Sequence, residues 1–206
     1  MQESTENFPE NSNIEKLLYS AMKFGNETVK KYPKYRQYDF LPGAVGIVSI
    51  IVDNVFYYAY IGDCIGLKIS KKERFIFTDK QTKLVHKYRH IFDKYTIRNI
   101  ICNNPNHPYA YGVLNGNENV DKFIQTGNFI LNHGDKVILA TDGVESYIMS
   151  YIEKNFELGT AKDFVKASDS KEEQEDDKSV IIIDYEGLDS NDKSAISAEF
   201  SISTRT

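Results

Sequence analysis

AVGIVSIIVDNVFYYAYIGDCIGLKI, residues 44–69, holds three apolar, β-branched and aromatic runs separated by Asp53-Asn54 and Gly62-Asp63. The Asp-Asn between the first two runs is a short turn signal, so the stretch predicts a β-hairpin. Gly62-Asp63 ends the second strand. CIGLKI and RFIFT then predict another hairpin around Lys71-Lys72, giving a meander of about four antiparallel strands.

Upstream, Ile14, Leu17, Leu18, Ala21, Gly25 and Val29 recur at helical spacing behind Ser12 or Asn13 as the cap, and Pro33 stops the helix. Downstream, 81–95 reads as an amphipathic helix, and the Asn-, Pro- and Gly-rich stretch from Asn103 to Asn119 as a loop. A further strand pair follows, FIQTGNFIL and KVILATDG, about a turn at His133-Gly134-Asp135. A helix begins just after Asp142-Gly143, a second short one spans about 160–168, and SVIIIDY is a buried strand. This order of runs of strands and separate helices is α+β, an antiparallel β-sandwich flanked by helices. The expected organisation is a flexible tail at 1–12, one domain over 13–186 and a disordered, Ser/Asp/Thr-rich tail at 187–206.

The chain of 206 residues is 41% hydrophobic and 27% charged, ordinary for one globular domain. Its net charge of −5 excludes a general nucleic-acid binder. The basic stretch from Lys68 to Arg98 could attract phosphorylated substrates, but is read here as a solvated face. The longest apolar run, 44–51, is far short of the ~20 residues of a membrane helix, and the polar opening residues do not read as a signal peptide. The expectation is a soluble, cytoplasmic protein without membrane contact, its Cys64 and Cys102 buried thiols with no catalytic task.

Three acidic sites fall at strand ends: Asp63, Asp142 before Gly143, and Asp176-Asp177 before SVIII. A carboxylate just past a strand is held by rigid backbone and can point into a crevice. Several converging carboxylates bind hard cations such as Mg²⁺ or Mn²⁺. Each site alone has a plain structural reading, as turn, strand terminator or cap; the joint arrangement carries the chemical one.

That arrangement resembles the metal-dependent serine/threonine protein phosphatases, the protein phosphatase 2C family, from about residue 14 to 184. GDKVILATDGVESYI is similar to the family's Gly-Asp, apolar strand, Ser/Thr-Asp-Gly, helix motif. DDKSVIIID is similar to its terminal Asp-Asn or Asp-Asp motif, and YIGDCIGLKI to its Gly-Asp-Ser motif with Cys64 in the serine's place. FTDKQTK resembles its Thr-x-Asp-His segment with Lys80 for the histidine. In GAVGIVSIIVDN, Gly43 and Ala44 fit a Gly-Ser/Thr-Thr-Ala strand, whereas Val45 and Gly46 depart from it. The resemblance implies that Asp142 and Asp176 are ligands of a central pair of Mg²⁺ or Mn²⁺ ions, with Gly143 beside Asp142 and Asp63 serving a third, weaker site. It implies hydrolysis of phosphoserine and phosphothreonine proteins by metal-activated water, with no further catalytic side chain. None of His86, His90, His107 or His133 matches a family position.

The family's opening Asp-Gly-x-Gly-Gly strand, whose aspartate bridges both metals, has no counterpart; Asp39 in YDFLPG lacks the glycines. The substrate-binding arginine upstream is missing too. Two expectations follow: a shortened active phosphatase, or a divergent phosphatase-like module that binds or regulates without turnover. An unrelated α+β domain with coincidental Asp-Gly turns is the remaining alternative.

Overall fold

The computed structural model describes residues 11–31, 41–154, 159–169, 178–187 and 196–203. The 20-residue helix α1 (Asn11–Lys30) follows the expected stripe. Ile14, Leu18 and Met22 are buried against Tyr57, Ala59 and Ile61, an apolar face that stabilises the helix more than its intrinsic propensity does.

Strands β1 (Gly46–Val52) and β2 (Val55–Ile61) form the expected hairpin, with Val52 paired to Val55. Asp53 takes the left-handed conformation, φ 54°, which aspartate tolerates better than most residues. β3 (Ile65–Ile69) and β4 (Arg74–Ile76) pair with each other.

The four strands are not one meander. The free edge of β2 is taken by β5 (Gln125–Ile130), so β3 leaves for a second sheet at Gly62. Gly62 has φ +89°, and a Cβ there would lie 2.2 Å from Val45 Cγ1, so only glycine fits. The expected β5–β6 pairing fails for the same reason: β6 (Asp135–Ala140) crosses to the second sheet, where it pairs with β3 and with β7 (Lys178–Tyr185). With a last strand β8 (Ile196–Ser203), the orders are β1-β2-β5 and β4-β3-β6-β7-β8.

Between the sheets lie Phe56, Leu131, Val137, Leu139, Ile183 and Tyr185. On the outer face of the larger sheet, Leu67, Ile138, Val180 and Ile182 pack against α3 (Glu145–Lys154) and α4 (Ala161–Asp169) through Ile148, Tyr151 and Phe164. The architecture is the expected α+β sandwich with flanking helices.

Two further expectations are corrected. The helix at 81–95 shrinks to α2 (Lys83–Lys87), with only Val85 buried, followed by turns and a π-helical segment, Thr96–Ile101. With Ile91 60% exposed, the stretch lacks the continuous apolar stripe that would hold a longer helix to the core. Within the stretch expected as a disordered tail, 187–206, strand β8 (Ile196–Ser203) pairs with β7 along its whole length. ISAEFSIS alternates Ile196, Ala198, Phe200 and Ile202 with polar residues, the period of a strand. The expected tail at 1–12 lies outside the described residues except for its last two, which open α1.

Three strands do not cover five. Ile181 shares the inner face with Ile183, yet it and its cross-strand partner Phe200 are exposed, Phe200 at 76%. An apolar edge strand of this kind invites association. Phe200→Lys is expected to reduce concentration-dependent association in light scattering while changing unfolding free energy by less than about 1 kcal/mol in urea titration.

Candidate metal and phosphate site

Where the chain changes sheet, at the β2–β3 corner and the end of β6, it presents carboxylates. Asp63 follows Gly62, and its Oδ2 accepts a hydrogen bond from Thr82 Oγ1 at 3.1 Å, which orients it. Asp142 opens a 3₁₀ turn, Asp142–Val144, that runs into α3. Thr141 just before it is pinned to β7: its N–H donates to Ser179 O and its Oγ1 accepts from Ser179 N–H, both at 3.0 Å. Gly143 and Val144 are buried within the turn, so the Asp142 backbone rests on packed structure.

Asp63 and Asp142, both half-buried, line one cavity of about 500 Å³. Gly43, Ala44 and Val45, just ahead of β1, form another part of its wall; Gly43 is required there because a Cβ would meet Val113 Cγ1 at 2.4 Å. The remaining polar lining includes Arg98, Cys102, Tyr111 and Asn115. Gly143 is not among the lining residues, and Asp176 falls in 170–177, outside the described residues.

The cavity lining carries charge of both signs. Burial pushes the Cys64 thiol up to about 12, and the negative charges of Asp63 and Asp142 both add to the rise, so the two carboxylates act on one place. Burial also raises Cys102, to about 11, but there the positive field of Arg98 opposes the shift. Tyr111 is raised by burial and by Cys102; Arg98 pulls its pKa down and Asp63 adds to the rise.

Both cysteines are buried and unpaired, as expected. Held far above its ordinary value, the Cys64 thiol is scarcely ionised at pH 8, and only thiolates react rapidly with disulfide reagents. Ellman's reagent is therefore expected to label neither thiol in the folded protein and both in denaturant. The raised folded pKa stabilises the fold below the unfolded thiol value near 8.5, and this contribution is lost as pH rises toward about 12.

The donor set fits a hard divalent cation, with two aspartate carboxylates on rigid strand ends and room for water. Among the described residues no group of three or more His, Cys, Asp or Glu side chains is placed to hold a metal ion. Lys80, at the position of the family histidine, is ion-paired to Glu145 on α3. His107 and His133 are engaged in local bonds to Tyr109 N–H and the Glu186 carbonyl, away from the cavity lining.

Sequence reasoning missed Thr82, Arg98, Tyr111 and Asn115. Thr82 lies inside FTDKQTK, and Arg98 ends the basic stretch read as a solvated face. That stretch divides: Lys68 is buried in an ion pair with Asp135 at 3.2 Å, whereas Arg98 faces the cavity.

No protein-family model and no curated protein matches this chain, but solved structures do. A serine/threonine phosphatase of S. agalactiae superposes with a TM-score of 0.55 at 15% identity, over 80% of this chain and 66% of that one. PppA of Pseudomonas aeruginosa, a regulatory component of its T6SS, gives 0.55 at 10% identity, over 79% and 67%. The Mycobacterium tuberculosis serine/threonine phosphatase PstP gives 0.52 at 14%, over 79% and 69%. The chain therefore has the fold of the bacterial serine/threonine phosphatases of the protein phosphatase 2C type, and spans about two thirds of their length.

Proposed function

We propose that this chain is a metal-dependent phosphatase of phosphoserine and phosphothreonine proteins, using Mg²⁺ or Mn²⁺. The observation that carries the reading is the convergence of Asp63 and Asp142, just beyond the same end of the paired strands β3 and β6, on one cavity that Arg98 also lines. Asp142 and Asp63 would hold the cation, with Asp176 and the Gly143 turn as the further contributions the resemblance implies. A hard cation there supplies Lewis-acid activation of water and of a phosphoryl oxygen. The chain's own residues do the rest. Thr82 fixes the Asp63 carboxylate, the Thr141–Ser179 bonds fix the turn bearing Asp142, and Arg98 adds positive charge to the lining for a phosphate anion. The fold shared with bacterial phosphatases supports this reading, as do reduced, unpaired thiols for a cytoplasmic setting. Among the described residues, no helix is long and apolar enough to cross a membrane.

A second reading, a phosphoprotein-binding module without turnover, is favoured by one observation: the cavity's described lining supplies two carboxylates, Asp63 and Asp142. Two carboxylates suit one cation better than a binuclear centre. Hydrolysis of a phosphothreonine peptide, followed by phosphate release with and without millimolar Mn²⁺, separates the two. Metal-stimulated release establishes the phosphatase; a folded protein that binds the peptide and releases nothing establishes the module.

A further inference from the structure

We infer that Gln81 is a positioning residue of the candidate metal site: its side-chain oxygen fixes the corner that presents Asp63 and ties that corner to the cavity lining at 111–113. The inference rests on the reading of Asp63 as a cation ligand, and concerns a residue to which the sequence resemblance assigns no role.

Gln81 holds Gly62 through both of its backbone polar groups. Gly62 N–H donates to Gln81 Oε1 at 3.0 Å, and Gly62 O accepts from Gln81 N–H at 3.2 Å. The next residue, Thr82, donates its hydroxyl to Asp63. Consecutive residues thus hold the backbone and the carboxylate of consecutive residues. Gly62 is where the chain changes sheet, and it has no side chain of its own to anchor it. The bonds from Gln81 supply that anchor and so set the direction in which Asp63 leaves β2.

The same Oε1 accepts from Gly112 N–H at 3.2 Å, and Gln81 Nε2 donates to Phe123 O at 2.7 Å. These partners fix the amide orientation, since exchanging oxygen and nitrogen would set donors against donors and the carbonyl against an acceptor. Gly112 stands between Tyr111 and Val113, both lining residues, so one oxygen joins two stretches of the cavity lining. Gln81 is itself held in place. Thr78 Oγ1 accepts from Gly66 N–H at 2.8 Å, Asp79 N–H donates to Tyr60 Oη at 2.6 Å, and Thr82 O accepts from His86 N–H at 2.9 Å. Lys80, between them, is paired with Glu145, which directly follows the Asp142 turn. Residues 78–82 therefore touch the elements that carry both carboxylates.

This bracing is complete without a cation. Oδ2 of Asp63 is engaged by Thr82, and among the described residues Oδ1 has no hydrogen-bond partner. A ligand whose backbone and second oxygen are already fixed gives up little freedom when a cation binds, and groups that orient ligands in this way commonly govern metal affinity by ten- to a hundredfold.

The test uses the whole chain with Mn²⁺ alone as probe, by titration calorimetry, and follows amide hydrogen exchange at Gly62 and Gly112 by NMR. Gln81→Met keeps the length and removes all three side-chain hydrogen bonds. It is expected to weaken Mn²⁺ binding by about ten- to a hundredfold and to speed exchange at both glycines. Gln81→Glu keeps an acceptor for the two amides and loses the donation to Phe123 O; it is expected to restore most of the affinity together with slow exchange. Circular dichroism establishes that each variant is folded. Should Gln81→Met not fold, Gln81→Asn, the same amide on a shorter arm, carries the same expectation. Unchanged Mn²⁺ affinity in the folded variant overturns the inference and leaves the metal-site reading standing. Gln81→Glu as weak as Gln81→Met overturns it too. So does Gln81→Glu that recovers affinity while exchange stays fast, since added charge alone would then be acting. No Mn²⁺ binding by the wild type overturns it together with the metal-site reading.

Discussion

Asp142→Ala is expected to lower Mn²⁺-dependent hydrolysis of p-nitrophenyl phosphate by roughly 10²–10⁴-fold, because a cation ligand underwrites several kcal/mol of transition-state charge stabilisation. The side chain sits at the mouth of a turn whose rigidity comes from elsewhere. Thr141 is bonded to β7 on one side, and Gly143 and Val144 are buried on the other. Removing the carboxylate should therefore empty the site without moving its walls. Asp142 also opens the turn leading into α3, where a negative charge contributes about 0.3–1 kcal/mol through the helix dipole. Asp142→Asn keeps the shape and loses the charge, so the two variants should agree in activity and differ little in stability. Asp63→Ala is expected to do less, because the resemblance assigns it an auxiliary role. Turnover by Asp142→Ala equal to wild type would overturn the metal-site assignment.

Asp135→Ala is expected to cost about 3–5 kcal/mol, a large share of the roughly 5–15 kcal/mol that holds a domain folded. Asp135 lies at the crossover from β5 to β6, and both it and Lys68 on β3 are buried. Lys68 Nζ lies 3.2 Å from Asp135 Oδ2, donates to Ile130 O at 2.8 Å and lies 5.2 Å from the Phe129 ring centroid. Asp135 Oδ2 also accepts from Asn132 N–H at 2.9 Å, closing the turn. Removing the carboxylate leaves a buried ammonium with one carbonyl and a ring face. The double variant Lys68→Met/Asp135→Leu should recover most of the loss, short by about 1 kcal/mol for the orphaned Asn132 N–H. Urea unfolding of wild type, Lys68→Met, Asp135→Leu and the double variant reads the coupling directly. A single-variant cost below about 1 kcal/mol would show that the pair is hydrated and contributes little.

The elements were largely legible because local signals agreed with the global fold. β2 and the hairpin at Asp53-Asn54 follow from β-branched and aromatic runs around a turn, and α1 from its stripe. The Asp142-Gly143 turn before a helix was equally plain. β8 was missed although its alternation is complete, because serine-rich spacing masked a period of two. The 81–95 stretch was overread because lysines and histidines at helical spacing mimic an amphipathic face without an apolar surface to receive it.

The amino-acid sequence by itself determined the strand and helix inventory apart from β8 and the 81–95 stretch, the antiparallel class, and the candidacy of Asp63 and Asp142. Those properties depend on periodicity, turn chemistry and motif, which are local. Tertiary structure alone decided that β2 and β3 part into different sheets, since strand edges are shared with partners up to 75 residues away, as in the Val55–Ile130 pair. It also decided that Arg98 and Asn115 share a cavity with the two aspartates. Charge along a chain states nothing about which residues face one another; only the crossing of the strands brings the guanidinium and the carboxylates into the lining of one space.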